Sequence, residues 1–326
     1  MEEHILWWPR LDLNQRPLPC QGSALPTELR DHSKLKCDYS KNIPIIKEPS
    51  YKQTDIIIIS IIIYSKGYYM NNIKSQTALI TGATSGIGEA TAKVLAKMEV
   101  NLVLTGRREE NLKNLKESLL KEFDIDVQTL KFDVTNKSEV LEKLTNLLTK
   151  TDIDILINNA GLALGIETID QGDIDNWEAM IDTNIKGLLY VSRVIIPHLR
   201  EKNRGHIVNL GSIAGEMTYP GGNVYCATKS AVHTLSEAMN IDLKGTDIRV
   251  SNIAPGAVKT SFSDIRFKGD KQKAEAVYEG YTPLFAEDIA DLILYVLNAP
   301  LHVNIQHTLI MPTAQRNPYI LHRKED

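Results

Sequence analysis

From Thr77 onward the chain alternates between short apolar runs and amphipathic stretches, and this alternation limits the possible folds more than anything else in its 326 residues. The runs lie at 77–81, 101–105, 127–132, 153–157, 206–210, 248–253 and 308–311. They are rich in β-branched residues and almost unbroken in apolar character, as parallel strands covered on both faces should be. Between them, residues 89–98, 109–123 and 138–148 carry a helical period. Strands joined through helices require right-handed crossovers. The expectation is an α/β doubly wound, Rossmann-type fold, with a seven-stranded parallel sheet and helices on both faces. Ligands of such sheets sit beyond the carboxyl ends of the strands, so the residues that follow each strand are the ones to read for chemistry.

Residues 1–69 differ from the rest. Pro9, Pro17, Pro19, Pro26, Pro44 and Pro49 fall there, against only Gly22 and Gly67 of the glycines, and the first 55 residues show neither helical nor strand periodicity. Glu2 and Glu3 stand where a secretory signal would carry positive charge, and eight acidic residues argue against a transit peptide. The run 56–63 is too short for a spanning helix, which needs roughly 17–25 apolar residues, and reads instead as an extended, aggregation-prone strand. The stretch 8–30 resembles the mistranslation of a non-coding RNA gene, whereas Met70-Asn-Asn-Ile-Lys-Ser-Gln-Thr-Ala-Leu-Ile-Thr-Gly reads as the natural opening of a Rossmann-type domain. We therefore expect residues 1–69 to be a spurious extension or a disordered leader, and residues 70–326 to form a single domain.

Composition closes off other classes. Apolar residues at 43% and charged residues at 24% suit a globular core, and a net charge of -4 gives no basic footprint for nucleic acid. Cys20, Cys37 and Cys226 match no disulfide or zinc framework, which suits reduced thiols in the cytoplasm. The pair His302 and His307 has no carboxylate or cysteine cluster beside it in sequence, so no metal is expected. Nor is membrane association expected.

The first strand runs into Thr81-Gly82-Ala83-Thr84-Ser85-Gly86-Ile87-Gly88. A glycine-rich turn between a strand and a helix brings backbone close to a pyrophosphate, whose charge faces the helix N-terminus. The second strand ends in Gly106-Arg107-Arg108, where an NAD-selective enzyme would carry an acid for the ribose hydroxyls. Two guanidinium forks suit a 2′-phosphate instead, so the expected cofactor is NADP. Asp133, followed by Val134, ends the third strand and could accept from an adenine amino group; Asn158-Asn159-Ala160-Gly161 ends the fourth.

Ser212 follows the fifth strand, and thirteen residues later comes Tyr225-Cys226-Ala227-Thr228-Lys229. Residues four apart share a helix face, so Tyr225 and Lys229 should project together. Oxidising an alcohol requires a base to take the hydroxyl proton as hydride leaves. A free phenol has a pKa of roughly 10, and a nearby ammonium favours the phenolate by about 1–3 units. Ser212 can hold the substrate oxygen by a hydrogen bond.

Taken in order, Gly82–Gly88, Asn158–Gly161, Asn184, Ser212, Tyr225, Lys229 and Pro255-Gly256 resemble the short-chain dehydrogenase/reductase family over residues 73–323. The resemblance implies that Tyr225 is the acid/base, Ser212 orients substrate, Lys229 binds the ribose and tunes the tyrosine, and Asn184 holds a water in a proton relay. It implies a cofactor lined by Gly82, Thr84, Ser85, Gly86, Ile87, Gly88, Arg107, Arg108, Asp133, Val134, Asn159, Tyr225 and Lys229. Residues 255–262, including Pro255, Gly256, Val258 and Thr260, would cover the nicotinamide. It also implies a homo-oligomer, dimer or tetramer, paired through helices near 175–199 and 223–243.

Gly161-Leu-Ala-Leu-Gly165, Gly221-Gly-Asn-Val-Tyr225, Val303-Asn-Ile305 and Arg266-Phe-Lys-Gly-Asp270 are similar to the NADP-dependent 3-hydroxy acid dehydrogenases, which act on serine, L-allo-threonine and related short acids. The tail 314–326 is only loosely similar. A short acid needs a cation for its carboxylate, and Arg266, or Lys268 beside it, lies on a loop expected to close over the site. Alternatively, Arg266 fixes the loop or a subunit contact. The competing functions are a 3-oxoacyl, steroid or sugar-alcohol reductase of the same fold, and a non-catalytic NADP(H) sensor.

Overall fold

The structure is a computed structural model that describes residues 72–324. The expectations for residues 1–69, the apolar run 56–63 among them, lie outside the described residues.

The strands are β1 (Thr77–Ile80), β2 (Asn101–Gly106), β3 (Val127–Lys131), β4 (Ile155–Asn158), β5 (Arg204–Leu210), β6 (Asp247–Pro255), β7 (Val258–Lys259), β8 (Leu284–Phe285) and β9 (His307–Ile310). The helices are α1 (Gly86–Lys97), α2 (Glu109–Glu122), α3 (Lys137–Leu148), α4 (Ile174–Ile181), α5 (Leu188–Glu201), α6 (Asn223–Asp242), α7 (Phe262–Arg266), α8 (Lys271–Ala276) and α9 (Ala286–Asn298). All seven expected strands form, each within a residue or two of its expected ends. They make one sheet in the order β3-β2-β1-β4-β5-β6-β9, and every pairing is parallel.

Alternation along each strand sends side chains to opposite faces. Ala78 and Ile80 of β1 and Ile155 and Ile157 of β4 join a core under α1, α2 and α9. Leu79 and Leu156 join the opposite core, beneath α3, α5 and α6. The strand order reverses between β1 and β4, which leaves a crevice beyond their carboxyl ends. That crevice is where the functional side chains gather.

Two features go beyond the sequence reading. β7 and β8 pair in a separate two-stranded ladder, which ties residue 258 to residue 284 and holds the intervening segment beside the crevice. Between α4 and α5, Asp182–Gly187 form a π-helical turn. Such turns gather at functional sites, and helical periodicity gives no sign of where the widened turn falls.

Candidate active site

At the phosphate end, two glycines do different work. Gly82 has φ +66°, a left-handed conformation that only glycine adopts without strain. Gly88 needs its hydrogen for space, since a Cβ there would lie 2.4 Å from the Gly82 carbonyl oxygen. Ser85 precedes α1 in an extended conformation, and its hydroxyl does not cap the helix. The first-turn N–H groups of α1 are thus free of a side-chain cap, as an anion-binding helix end requires. Thr81, a residue the sequence reading passed over, braces the turn from behind. Its Oγ1 accepts from the backbone N–H of Asn159 at 3.0 Å and of Ala160 at 3.0 Å. Asn159 Nδ2 in turn donates to the carbonyl of Thr81 at 2.9 Å. Only the strand pairing of β1 with β4 brings these segments together.

The two arginines stand at the mouth of the cleft. Arg108 Nη2 donates to Thr84 Oγ1 at 3.0 Å and to Ser85 Oγ at 3.1 Å. Arg107 Nη1 lies 3.7 Å from Asp133 Oδ2. The other oxygen of Asp133 accepts from the Thr135 N–H at 3.0 Å and the Thr135 hydroxyl at 2.9 Å. Its carboxylate is therefore largely engaged within its own loop.

At the opposite end, Ser212, Tyr225 and Lys229 share the same cleft with Pro255, Gly256, Val258 and Thr260. Thr84, Ser85, Gly86, Ile87, Arg107, Arg108, Asp133, Val134 and Asn159 line it as well. Three expected residues stand behind this lining. Gly88 lies in the helix, Arg266 packs on aromatic rings, and Asn184 is 2% exposed in the π-helical turn. Asn184 Oδ1 accepts from the Leu162 N–H at 2.9 Å, while its Nδ2 donates to the Leu162 carbonyl at 2.8 Å and to Thr228 Oγ1 at 3.0 Å.

Tyr225 and Lys229 do project together from α6, with Nζ 6.0 Å from the ring centroid. The ammonium is buried and donates to the Leu210 carbonyl at 2.7 Å. Burial pulls the Lys229 pKa down to about 8. Burial likewise pushes the Tyr225 phenol above its ordinary range, and Tyr219 adds to this. The Ser212 hydroxyl and the positive charge of Arg266 pull it back down. The sequence reading assigned that pull to Lys229; in the structure it comes from Ser212 and from Arg266, whose guanidinium carbon is 5.9 Å from the Tyr225 centroid.

Arg266 also lies 5.4 Å from the centroid of Tyr219. Its Nε donates to the Gly165 carbonyl at 3.2 Å, and its Nη2 is buried without a hydrogen-bond partner. Lys268, the other candidate anchor, pairs instead with Asp173 at 3.4 Å. Tyr219 escaped the sequence reading because it belongs to no periodic segment, whereas Phe262, whose ring centroid is 5.9 Å from that of Tyr225, closes the stretch 255–262 expected over the nicotinamide. Cys226 is 1% exposed and acts as a small packing residue, its thiol pushed up by burial.

Residues 76–270 match the family model described as short chain dehydrogenase. A relative from Salmonella typhi, NADP-dependent 3-hydroxy acid dehydrogenase YdfG, is 46% identical over 239 residues, or 73% of this chain and 95% of the relative. An NADP-dependent 3-hydroxy acid dehydrogenase from Schizosaccharomyces pombe is 41% identical over 258 residues, or 78% of this chain and 100% of the relative. The closed form of a serine dehydrogenase complexed with NADP+ is 41% identical with a TM-score of 0.70, covering 76% of this chain and 100% of that one. By sequence and by structure, the chain belongs to the short-chain dehydrogenase family.

Proposed function

We propose that this protein is an NADP(H)-dependent oxidoreductase that interconverts a short 3-hydroxy acid, of the serine, L-allo-threonine or 3-hydroxypropionate type, with its 3-oxo form. The observation that carries this reading is Arg266: a buried guanidinium Nη2 with no partner, held 5.9 Å from the ring of Tyr225. An unsatisfied buried charge-assisted donor is costly, and a substrate carboxylate satisfies it with strong, directional bonds. Neutral alcohols and steroids offer no such partner.

The residues of the cleft fit NADP. The left-handed glycine turn and the uncapped start of α1 suit a pyrophosphate, and Arg107 and Arg108 would hold the 2′-phosphate. When bound, this cofactor supplies the hydride-accepting or hydride-donating group. Tyr225 takes the substrate hydroxyl proton in oxidation and returns it in reduction. Ser212 donates a hydrogen bond to the substrate oxygen and holds it against Tyr225. Lys229, still largely protonated at neutral pH, places positive charge beneath the phenol. Asn184 fixes the loop at Leu162 and Thr228 of α6, which keeps the π-helical turn in register with Lys229.

Arg266→Ala should raise KM for L-serine and 3-hydroxypropionate roughly 10–100-fold with NADP, leaving KM for neutral secondary alcohols unchanged. Equal losses on acids and neutral alcohols would assign Arg266 to fixing the loop, through its bond to Gly165, and would withdraw the carboxylate anchor.

We further propose a cytoplasmic homo-oligomer, dimer or tetramer. Among the described residues no helix is long and apolar enough to cross a membrane. Exposed apolar side chains stand on α4 to α6, at Ile181, Leu189 and Ile241, on α9 at Tyr295, on β9 at Leu309, and at Leu301 between those two elements. Sedimentation equilibrium should give a mass of two or four chains; a monomer at micromolar concentration argues against assembly through these faces.

A further inference from the structure

Away from the cleft, three possible metal ligands converge from separate elements. Glu216 follows the 3-10 turn Ile213–Gly215, His233 lies on α6 and His307 opens β9. Their ligand atoms lie within 4.8 Å of one another. His307 Nε2 is 2.8 Å from Glu216 Oε1, and the two imidazole centroids are 4.7 Å apart. His302, the histidine that pairs with His307 in sequence, is not in the cluster.

Behind the rings stands Asn252, 2% exposed on β6. Its carboxamide Nδ2 lies 3.3 Å from Nδ1 of His233 and 3.2 Å from Nδ1 of His307. Its other polar atom, Oδ1, is buried without a hydrogen-bond partner. A half-turn about the terminal carboxamide bond exchanges these two atoms. With nitrogen toward the rings, both Nδ1 atoms accept and both Nε2 atoms keep their protons, facing Glu216 and Glu237, the latter 3.4 Å from His233 Nε2. With oxygen toward the rings, both Nδ1–H groups donate to it, and the Nε2 atoms present lone pairs, that of His307 beside the Glu216 carboxylate. Metal-ligating histidines are commonly fixed by such a hydrogen bond from the far ring nitrogen. One buried carboxamide orients both imidazoles here.

We propose that Glu216, His233 and His307 bind a divalent transition-metal ion of the zinc class, with Asn252 as the residue that positions both imidazoles. Two imidazoles, one carboxylate and an open position suit Zn2+; magnesium and calcium prefer sets made of oxygen alone. The ion would join three elements around the cleft. Glu216 lies four residues past Ser212. His233 continues the helical row of Tyr225 and Lys229, four residues apart. Ser230 Oγ already donates to the Gly215 carbonyl at 2.8 Å, holding the turn on the helix. The metal therefore clamps the turn that carries Ser212 onto the helix that carries Tyr225.

The test titrates the chelator-stripped full chain with Co2+ and then Zn2+. One Co2+ per chain should bind with the visible absorption of a four-coordinate site, and Zn2+ should displace it. At a hundredfold excess over its Kd, Zn2+ should raise Tm by about 5–10 °C. Asn252→Leu should weaken binding roughly 10–100-fold, and His233→Ala or His307→Ala should weaken it more. Asn252→Asp, which keeps an acceptor for both rings, and His302→Ala should leave it within a few-fold. Absence of stoichiometric Co2+ binding, or binding that survives in both His233→Ala and His307→Ala, overturns the proposal. Should those variants fail to fold, imidazole 15N spectra of the unaltered chain decide. Zinc must shift two histidines to the Nδ1–H tautomer, and unmoved rings overturn the site.

Discussion

The two ends of the cleft hold their charges in opposite ways. At the phosphate end, Arg107 is 68% exposed and its contact with Asp133 is long, so solvent screens that charge and the protein loses little by placing it there. At the reactive end, Lys229 is 6% exposed, the Tyr225 phenol is pushed up by burial, and Arg266 Nη2 has no partner. Those groups are held against their own solvation by the surrounding fold. The difference teaches that, on the proposed reading, one end meets a charged ligand with solvated charge, whereas the other holds unfavourable electrostatics that a bound ligand would relieve.

The largest expected break comes at the reactive end. Tyr225→Phe should lower turnover about a thousandfold while cofactor affinity stays within a few-fold, measured by NADPH absorbance and by fluorescence titration. Turnover within tenfold of the original would remove Tyr225 from the acid/base role.

A smaller effect is expected at the phosphate end. The double substitution Arg107→Ala with Arg108→Ala should raise KM for NADP roughly 30–100-fold, as the loss of exposed charge-assisted bonds predicts. KM for NAD should barely move. A parallel rise for both cofactors would mean that the arginines shape the loop rather than select the 2′-phosphate.

The smallest change sharpens the contrast by its sign. The folded Lys229 pKa of about 8 lies below the usual lysine value of 10.5, so the unfolded chain binds more protons between those pH values. Stability should therefore rise with pH from about 8 to about 10.5, and the full cost of the buried ammonium is present below that window. The shift corresponds to about 3 kcal/mol, offset in part by the hydrogen bond to the Leu210 carbonyl. Lys229→Met should stabilise the cofactor-free protein by roughly 2 kcal/mol at neutral pH and abolish turnover, with the gain shrinking toward pH 10. A loss of Tm at pH 7 would show that the Leu210 contact outweighs desolvation. The same substitution at an exposed arginine of the phosphate end should leave Tm almost unchanged.

Much of this is legible in the sequence alone. Seven strands could be read from the apolar runs because a parallel sheet buries both faces and leaves each strand almost uniformly apolar. The glycine turn was legible because φ +66° at Gly82 and the lack of room for a Cβ at Gly88 are backbone constraints that only one residue type meets. The pairing of Tyr225 with Lys229 was legible because a helix brings residues four apart together. In each case the constraint acts over a few neighbouring residues.

What only the tertiary structure decided involves groups brought together from far apart in the chain. The support of Asn159 by Thr81 depends on β1 pairing with β4. The orphaned nitrogen of Arg266, its stacking near Tyr219 and Tyr225, and the pull of its charge on the phenol follow from how α7 packs. The meeting of Glu216, His233 and His307 around Asn252 joins a turn, a helix and two strands. By itself the sequence determined the architecture and the order of the reacting residues, since local periodicity and backbone sterics are written in adjacent positions. Burial decided the electrostatics, because desolvation depends on every element packed around a group.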